Sequence, residues 1–120
     1  MNKVLTDKTC TVIVTKHALE QARKRLGFNS STLERMACRA YMYGLSYDDT
    51  DGILRSFILA KMKLQSEKHD DAILRVYGEI LYVFVCNKRT DDLYLLTTYQ
   101  IPRKMRQYAA EAFTNKKREA

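Results

Sequence analysis

His17, Gln21 and Arg25 stand at successive four-residue steps, so a helix through them carries all three along one stripe. Imidazole titrates near neutrality, and the positive end of a helix disfavours its charged form, which suits a general base. The plainer reading of His17 is an exposed residue at a helix start. Further along, Ile73, Arg75 and Tyr77 alternate in a strand-like run, as do Leu95, Thr97 and Tyr99, and a period of two gives each set one face of its strand. An arginine inside a strand either snorkels or pairs with a carboxylate at the sheet edge, or is aimed at a bound anion such as phosphate. Thr97 is a good strand residue in its own right. These are groups that move a proton and hold an anion. His69, beside Asp70 and Asp71, reads as a loop residue.

Other chemistries lack their parts. The acidic turn Asp48-Asp49-Thr50-Asp51-Gly52 suggests a calcium loop, but aligning Gly52 with that loop's invariant glycine puts Tyr47 at the first ligand position and Ile58 at the bidentate one. Its aspartates better suit the N-terminus of the helix that follows. A two-metal nuclease built on Asp48, Asp49 and Asp51 is disfavoured, because such sites draw carboxylates from separate elements. Phosphate-loop, dinucleotide, serine-hydrolase and zinc-protease motifs are absent. Cys10, Cys38 and Cys86 are odd in number and form no C-x-x-C pair; they read as reduced, mostly buried thiols, with no metal and no cofactor expected.

The elements that must position these groups follow from the pattern. At 120 residues with 46% hydrophobic side chains, the chain makes a single domain, residues 1–120, with 1–9 and 115–120 as flexible ends. Thr11 to Val14 is a short β-branched run. Thr15 then caps a first helix with apolar positions at Ala18, Leu19, Ala22 and Leu26, stopped by Gly27. Ser31 and Glu34 form a capping box for a second helix ending at Gly44, and Ile53 to Leu64 is an amphipathic third. Ala72 to Tyr77, Ile80 to Cys86 and Leu93 to Gln100 are strands, the first two joined by Gly78-Glu79 as a type II′ turn. The second and third strands are apolar on both faces, so the sheet is covered on both sides, or covered once and paired with another subunit. Met105, Tyr108, Ala109, Ala112 and Phe113 mark a last helix, with Lys116-Lys117-Arg118 as a frayed basic tail. The fold class is α+β: N-terminal helices on a three- to four-stranded antiparallel meander, with a C-terminal helix.

The net charge of +7 is concentrated at the ends, +5 in residues 1–47 and +4 in 103–120. If the ends meet, the resulting surface attracts polyanions, nucleic acid first. No segment is apolar for long enough to span a bilayer, and the opening lacks a signal peptide's pattern, so a cytoplasmic protein without membrane contact is expected.

The segments TKHALEQARKRLGF, STLERMACRAYMYGLS, LRVYGEILYVFV and LLTTYQIP resemble a family of small phage and prophage proteins. That family is similar in turn to a divergent branch of the RelE-like and barnase/EndoU-like RNase fold, which includes toxin ribonucleases. The likeness covers about residues 10–105, apart from Tyr47 to Asp71. The histidine opening the first helix matches His17, the arginine closing it Arg25, the strand arginine before a Tyr-Gly turn Arg75, and the last-strand threonine Thr97, with Thr98 beside it. Related helices often carry arginine where Gln21 stands. The resemblance implies an RNA-binding protein and a candidate metal-independent endoribonuclease, in which a ribose 2′-hydroxyl attacks the adjacent phosphate. His17 then serves as base or acid, Arg25 and Arg75 as fixed cations and Thr97 as a phosphate donor. Gln21, Arg23, Lys24, Tyr77, Tyr99 and Arg103 are the residues expected to bind substrate. The partner is RNA ahead of DNA, and the chain a monomer or homodimer in the bacterial host cytoplasm. The alternative is a phage-type protein that binds nucleic acid without cleaving it, or that inhibits a host or defence protein.

Overall fold

The computed structural model describes residues 11–67 and 71–119; Cys10, His69 and the segment 1–9 lie outside them. In chain order the elements are β1 (Val12–Val14), α1 (Lys16–Leu26), α2 (Ser30–Tyr43), α3 (Gly52–Ser66), β2 (Ile73–Tyr77), β3 (Ile80–Asn87), β4 (Asp92–Gln100) and α4 (Arg106–Glu119). Single turns of 3-10 helix stand at Tyr47–Asp49 and Arg103–Met105.

Local chemistry accounts for the helix ends. Thr15 is extended, and its hydroxyl oxygen accepts the Ala18 N–H at 3.2 Å; Gly27, at φ 70°, ends α1 in the left-handed conformation that glycine adopts without strain. For α2 the expected Ser31–Glu34 box gives way to Asn29, whose side-chain oxygen accepts the Thr32 N–H at 2.8 Å. Asparagine caps as well as serine, and it stands early enough to start the helix at Ser30. The aspartates of the acidic turn divide their work. Asp51 is the N-cap position of α3 without a side-chain bond, while Asp49 accepts the Ser46 N–H at 2.9 Å and the Ser46 hydroxyl at 3.1 Å.

The sheet order is β1-β4-β3-β2. β2, β3 and β4 form the expected meander, but β1 runs parallel to β4, with Val12 beside Leu93 and Val14 beside Leu95. The sheet is therefore mixed rather than wholly antiparallel. Three helices and the β2–β3 hairpin separate β1 from β4 in the chain, and a long connection of this kind suits parallel neighbours. Helices cover both faces. Ala18, Ala22, Leu33, Ala37 and Ala40 of α1 and α2 pack on Tyr82, Phe84, Leu93 and Leu95. Leu54 and Ile58 of α3 and Ala109 of α4 pack on Leu74, Val76, Leu81 and Val83. β3 is thus buried from both sides, as its two apolar faces require, and each large side chain so buried contributes about 1.5–3 kcal/mol.

Two irregularities decide where the candidate residues go. The β3–β4 register pairs Phe84 with Leu95 but Val83 with Thr97, leaving Leu96 as an extra residue in a bulge. The bulge shifts the alternation of β4 by one: Leu95 faces α1 and α2, Thr98 stands opposite Tyr82, and Tyr99 stands opposite Leu81 on the α3 side. Beyond α2, Leu45 bridges to Val76 on the outer edge of β2 through N–H to carbonyl bonds of 2.7 and 2.9 Å. Residues 115–119, expected as a loose end, continue α4, and Lys116 holds that helix to the loop after α2 by donating to the Gly44 carbonyl and the Asp49 carboxylate, both at 2.9 Å.

Candidate functional site

β1 ends at Val14, and α1 then lies along β4. The Thr15 N–H donates to the Leu95 carbonyl at 3.2 Å, and Gln100 donates its side-chain N–H to the Arg25 carbonyl at 3.3 Å. Between these anchors the buried Thr97 hydroxyl donates to the side-chain oxygen of Gln21. His17 lies one turn before Gln21 and Arg25 one turn after, both exposed. The fold therefore brings Gln21 and Thr97 together at an α1–β4 shelf, with His17 and Arg25 one helical turn to either side of Gln21 on α1. Arg23 and Lys24 are exposed in the same last turn of α1, where cations complement the helix dipole. Arg103 is exposed three residues past Gln100.

Arg75 and Tyr99 are not part of this shelf. Arg75 shares the α1–α2 face, opposite Tyr82, but on the edge strand β2, with β3 between it and β4. At about 4.8 Å per strand spacing, two spacings separate the β2 and β4 backbones by about 10 Å. Val76 turns its backbone groups outward to Leu45, and alternation turns those of Leu74 outward too. The Arg75 guanidinium donates to that Leu74 carbonyl at 2.9 Å and lies 6.0 Å from the Tyr41 ring centre. It serves the sheet edge. Tyr99, which a simple alternation sets beside Thr97, has its partners on α3 instead, where its phenol oxygen accepts from Gln65 at 3.1 Å and Lys61 lies 4.5 Å from its ring centre.

A different set of residues forms a concave surface. One hollow of about 560 Å³ is lined by Arg35, Cys38, Arg39, Met42, Tyr43 and Tyr77. A second, of about 330 Å³, is lined by Met42, Tyr43, Tyr77, Phe113, Lys116 and Lys117. They share Met42, Tyr43 and Tyr77, so together they make one groove between α2, the β2 end and α4. Among the described residues no carboxylate lines either hollow. Tyr77, expected to bind substrate, is here, braced edge-to-face by Phe113 at 5.9 Å. The sequence reading missed Arg35, Arg39, Tyr43 and Lys117. Their signal was present, since Arg35, Arg39 and Tyr43 repeat every four residues on the polar face of α2.

Electrostatics changes sign across Lys116. On its far side a hollow of about 420 Å³ is lined by Asp48, Asp49, Asp51, Arg55, Glu111 and Lys116, among others. Burial raises the Asp49 carboxyl, but the Ser46 N–H, the Lys116 ammonium and the Ser46 hydroxyl together outweigh it and hold the group below its ordinary value. Among the described residues no cluster of three His, Cys, Asp or Glu could hold a metal. Cys38 and Cys86 are half-buried and outside any disulfide; burial, then Asp91, pushes the Cys86 thiol up. No helix of the described residues is long and apolar enough to cross a membrane. No protein-family model, curated protein or solved structure matches the chain.

Proposed function

We propose that the chain binds nucleic acid, RNA ahead of DNA, in the groove between α2, β2 and α4. The observation that carries this reading is the lining: Arg35, Arg39 and Lys117 flank Tyr43 and Tyr77 with no described carboxylate among them. Cations release counterions from phosphates and supply affinity, while aromatic rings accept the faces of bases. A basic protein selected for solubility alone intersperses both signs. Arg23, Lys24, Arg25 and Arg103 extend the positive charge on the α1 side.

Fluorescence anisotropy with labelled RNA across a salt series tests it. Three phosphate contacts on a single strand give a slope of log K against log salt of about −2. Joint substitution Arg35→Gln and Arg39→Gln flattens that slope. Binding that ignores salt, or an equally salt-insensitive complex with one host protein recovered from lysate, would favour the inhibitor reading instead.

Cleavage is a second reading, favoured by the Thr97–Gln21 contact that aligns a hydroxyl with the His17 stripe. His17 would be base or acid and Arg25 the cation, with Arg75 outside the reaction. The likeness to RelE-like and barnase-like sequences and a bacterial cytoplasm as the place of action belong to this reading. Labelled RNA incubated in EDTA checks it: cleavage that His17→Ala abolishes supports it, and equal background from both proteins ends it.

A further inference from the structure

We infer that the groove takes a single strand, with unstacked bases against Tyr43 and Tyr77 and phosphates at Arg35, Arg39 and Lys117. The inference rests on the nucleic-acid reading above and names its substrate class. Tyr43 and Tyr77, with Met42, line both hollows, whereas Arg35 and Arg39 line the first alone and Lys117 the second alone. In a duplex the base faces are stacked away. A-form RNA offers side chains a major groove too narrow to enter and a shallow minor groove of hydroxyls and base edges. Rings set inside a concavity meet base faces only when the strand is open.

The details agree with a stacking role. Tyr43 is 51% exposed and has no ring contact of its own among the described pairs, so its face is open to a base. Its neighbour in the helix, Tyr41, instead packs edge-to-face on Phe84 at 5.6 Å. Tyr77 is held by Phe113, so its ring is positioned before any base arrives. Lys116 is engaged by Gly44 and Asp49 and shapes the wall. Beyond it, Asp48, Asp51 and Glu111 repel phosphate, so the strand stops near Lys117 and leaves past Arg35. Arg35 to Tyr43 spans about 12 Å of helix, so the site is a short one.

The test compares a labelled oligouridylate of about ten nucleotides, the matching oligothymidylate and an RNA duplex of equal length, each against the full chain. Both single strands are expected to bind about tenfold or more tighter than the duplex. Tyr43→Ala weakens single-strand binding by about 5- to 150-fold, the stacking value of one base, and Tyr43→Phe restores it. Arg35→Gln with Arg39→Gln reduces the salt slope by about 1.4 and leaves the single-strand preference intact. Equal or tighter duplex binding, or an unchanged affinity in Tyr43→Ala, overturns the inference while the nucleic-acid reading stands. Failure of every probe to bind takes both down.

Discussion

Gly44 ends α2 with φ −71° and ψ 169°, extended backbone that any residue adopts. A Cβ at this position would press into the Ala40 carbonyl and sit 2.9 Å from the Val76 carbonyl and 3.2 Å from the Arg75 Cβ. Gly44→Ala therefore sets two effects against each other. Reduced freedom of the unfolded chain stabilises by about 0.4–1 kcal/mol. Overpacking against two fixed carbonyls and a strand costs about 1–3 kcal/mol, so the net loss is about 1–2 kcal/mol. An unfolding entropy of about 2.1 cal/mol/K per residue gives about 0.25 kcal/mol/K for a chain of this length, and the melting midpoint falls by about 4–8 °C. Circular dichroism during thermal and urea unfolding measures it, with an unchanged urea slope showing that the unfolded state is the same. Relief of the clash moves the end of α2 from the β2 edge, and Tyr43 with it relative to Tyr77, so RNA affinity falls in the same variant. A midpoint equal to or above that of the parent chain would leave only the entropic gain at work. The close approach of α2 to β2 would then be refuted, and the shape of the groove with it.

Arg75→Gln removes the donor to the Leu74 carbonyl and is expected to lower stability by about 1 kcal/mol in urea melts while leaving RNA binding within twofold, about the scatter of such assays; loss of RNA binding or cleavage at full stability would return Arg75 to the site. The Asp49–Lys116 contact has a pH signature. Because folding holds the Asp49 carboxyl below its unfolded value, the contact's stabilisation is fully present above about pH 4 and is lost as pH falls through the folded value. The stability difference between the parent chain and Lys116→Met should shrink in that window, and a difference constant down to pH 2, about two units lower, would contradict it. Tyr82 is fully buried, its hydroxyl has no hydrogen-bond partner among the described residues, and burial followed by the charge of Tyr77 pushes it up. Tyr82→Phe is therefore expected to be neutral or to stabilise by up to about 1–2 kcal/mol, and a loss of stability in the urea midpoint would show that the phenol has a partner after all.

How far residues 1–120 could be read in advance depended on the range of each interaction. Thr15 and Gly27 bound α1 through contacts within five residues, so the helix and its ends were visible in the string. The apolar faces of β3 announced burial from both sides, and the Gly78-Glu79 turn, with Gly78 at φ 63°, announced the hairpin. The His17, Gln21, Arg25 stripe followed from helical periodicity alone. Asn29 in place of the Ser31–Glu34 box shows the limit of even local reasoning, because two capping residues only two positions apart compete on nearly equal terms.

Contacts between distant segments decided the rest. A three-residue run cannot specify its partner, so the parallel docking of β1 on β4 came only with the long connection through α1, α2, α3 and the β2–β3 hairpin. The Leu96 bulge answers to the register of β3, and Thr97 and Tyr99, which strict alternation joins, find their partners on different helices, Gln21 of α1 and Gln65 of α3. Arg75 turns to the Leu74 carbonyl because β2 is an edge, which no spacing within Ile73–Tyr77 reveals. The groove gathers Arg35, Arg39, Tyr43, Tyr77, Phe113 and Lys117 from three elements far apart in the chain. Periodicity determined which residues line each face of an element, β4 with its bulge excepted, whereas strand order and edge exposure determined which of those faces meet.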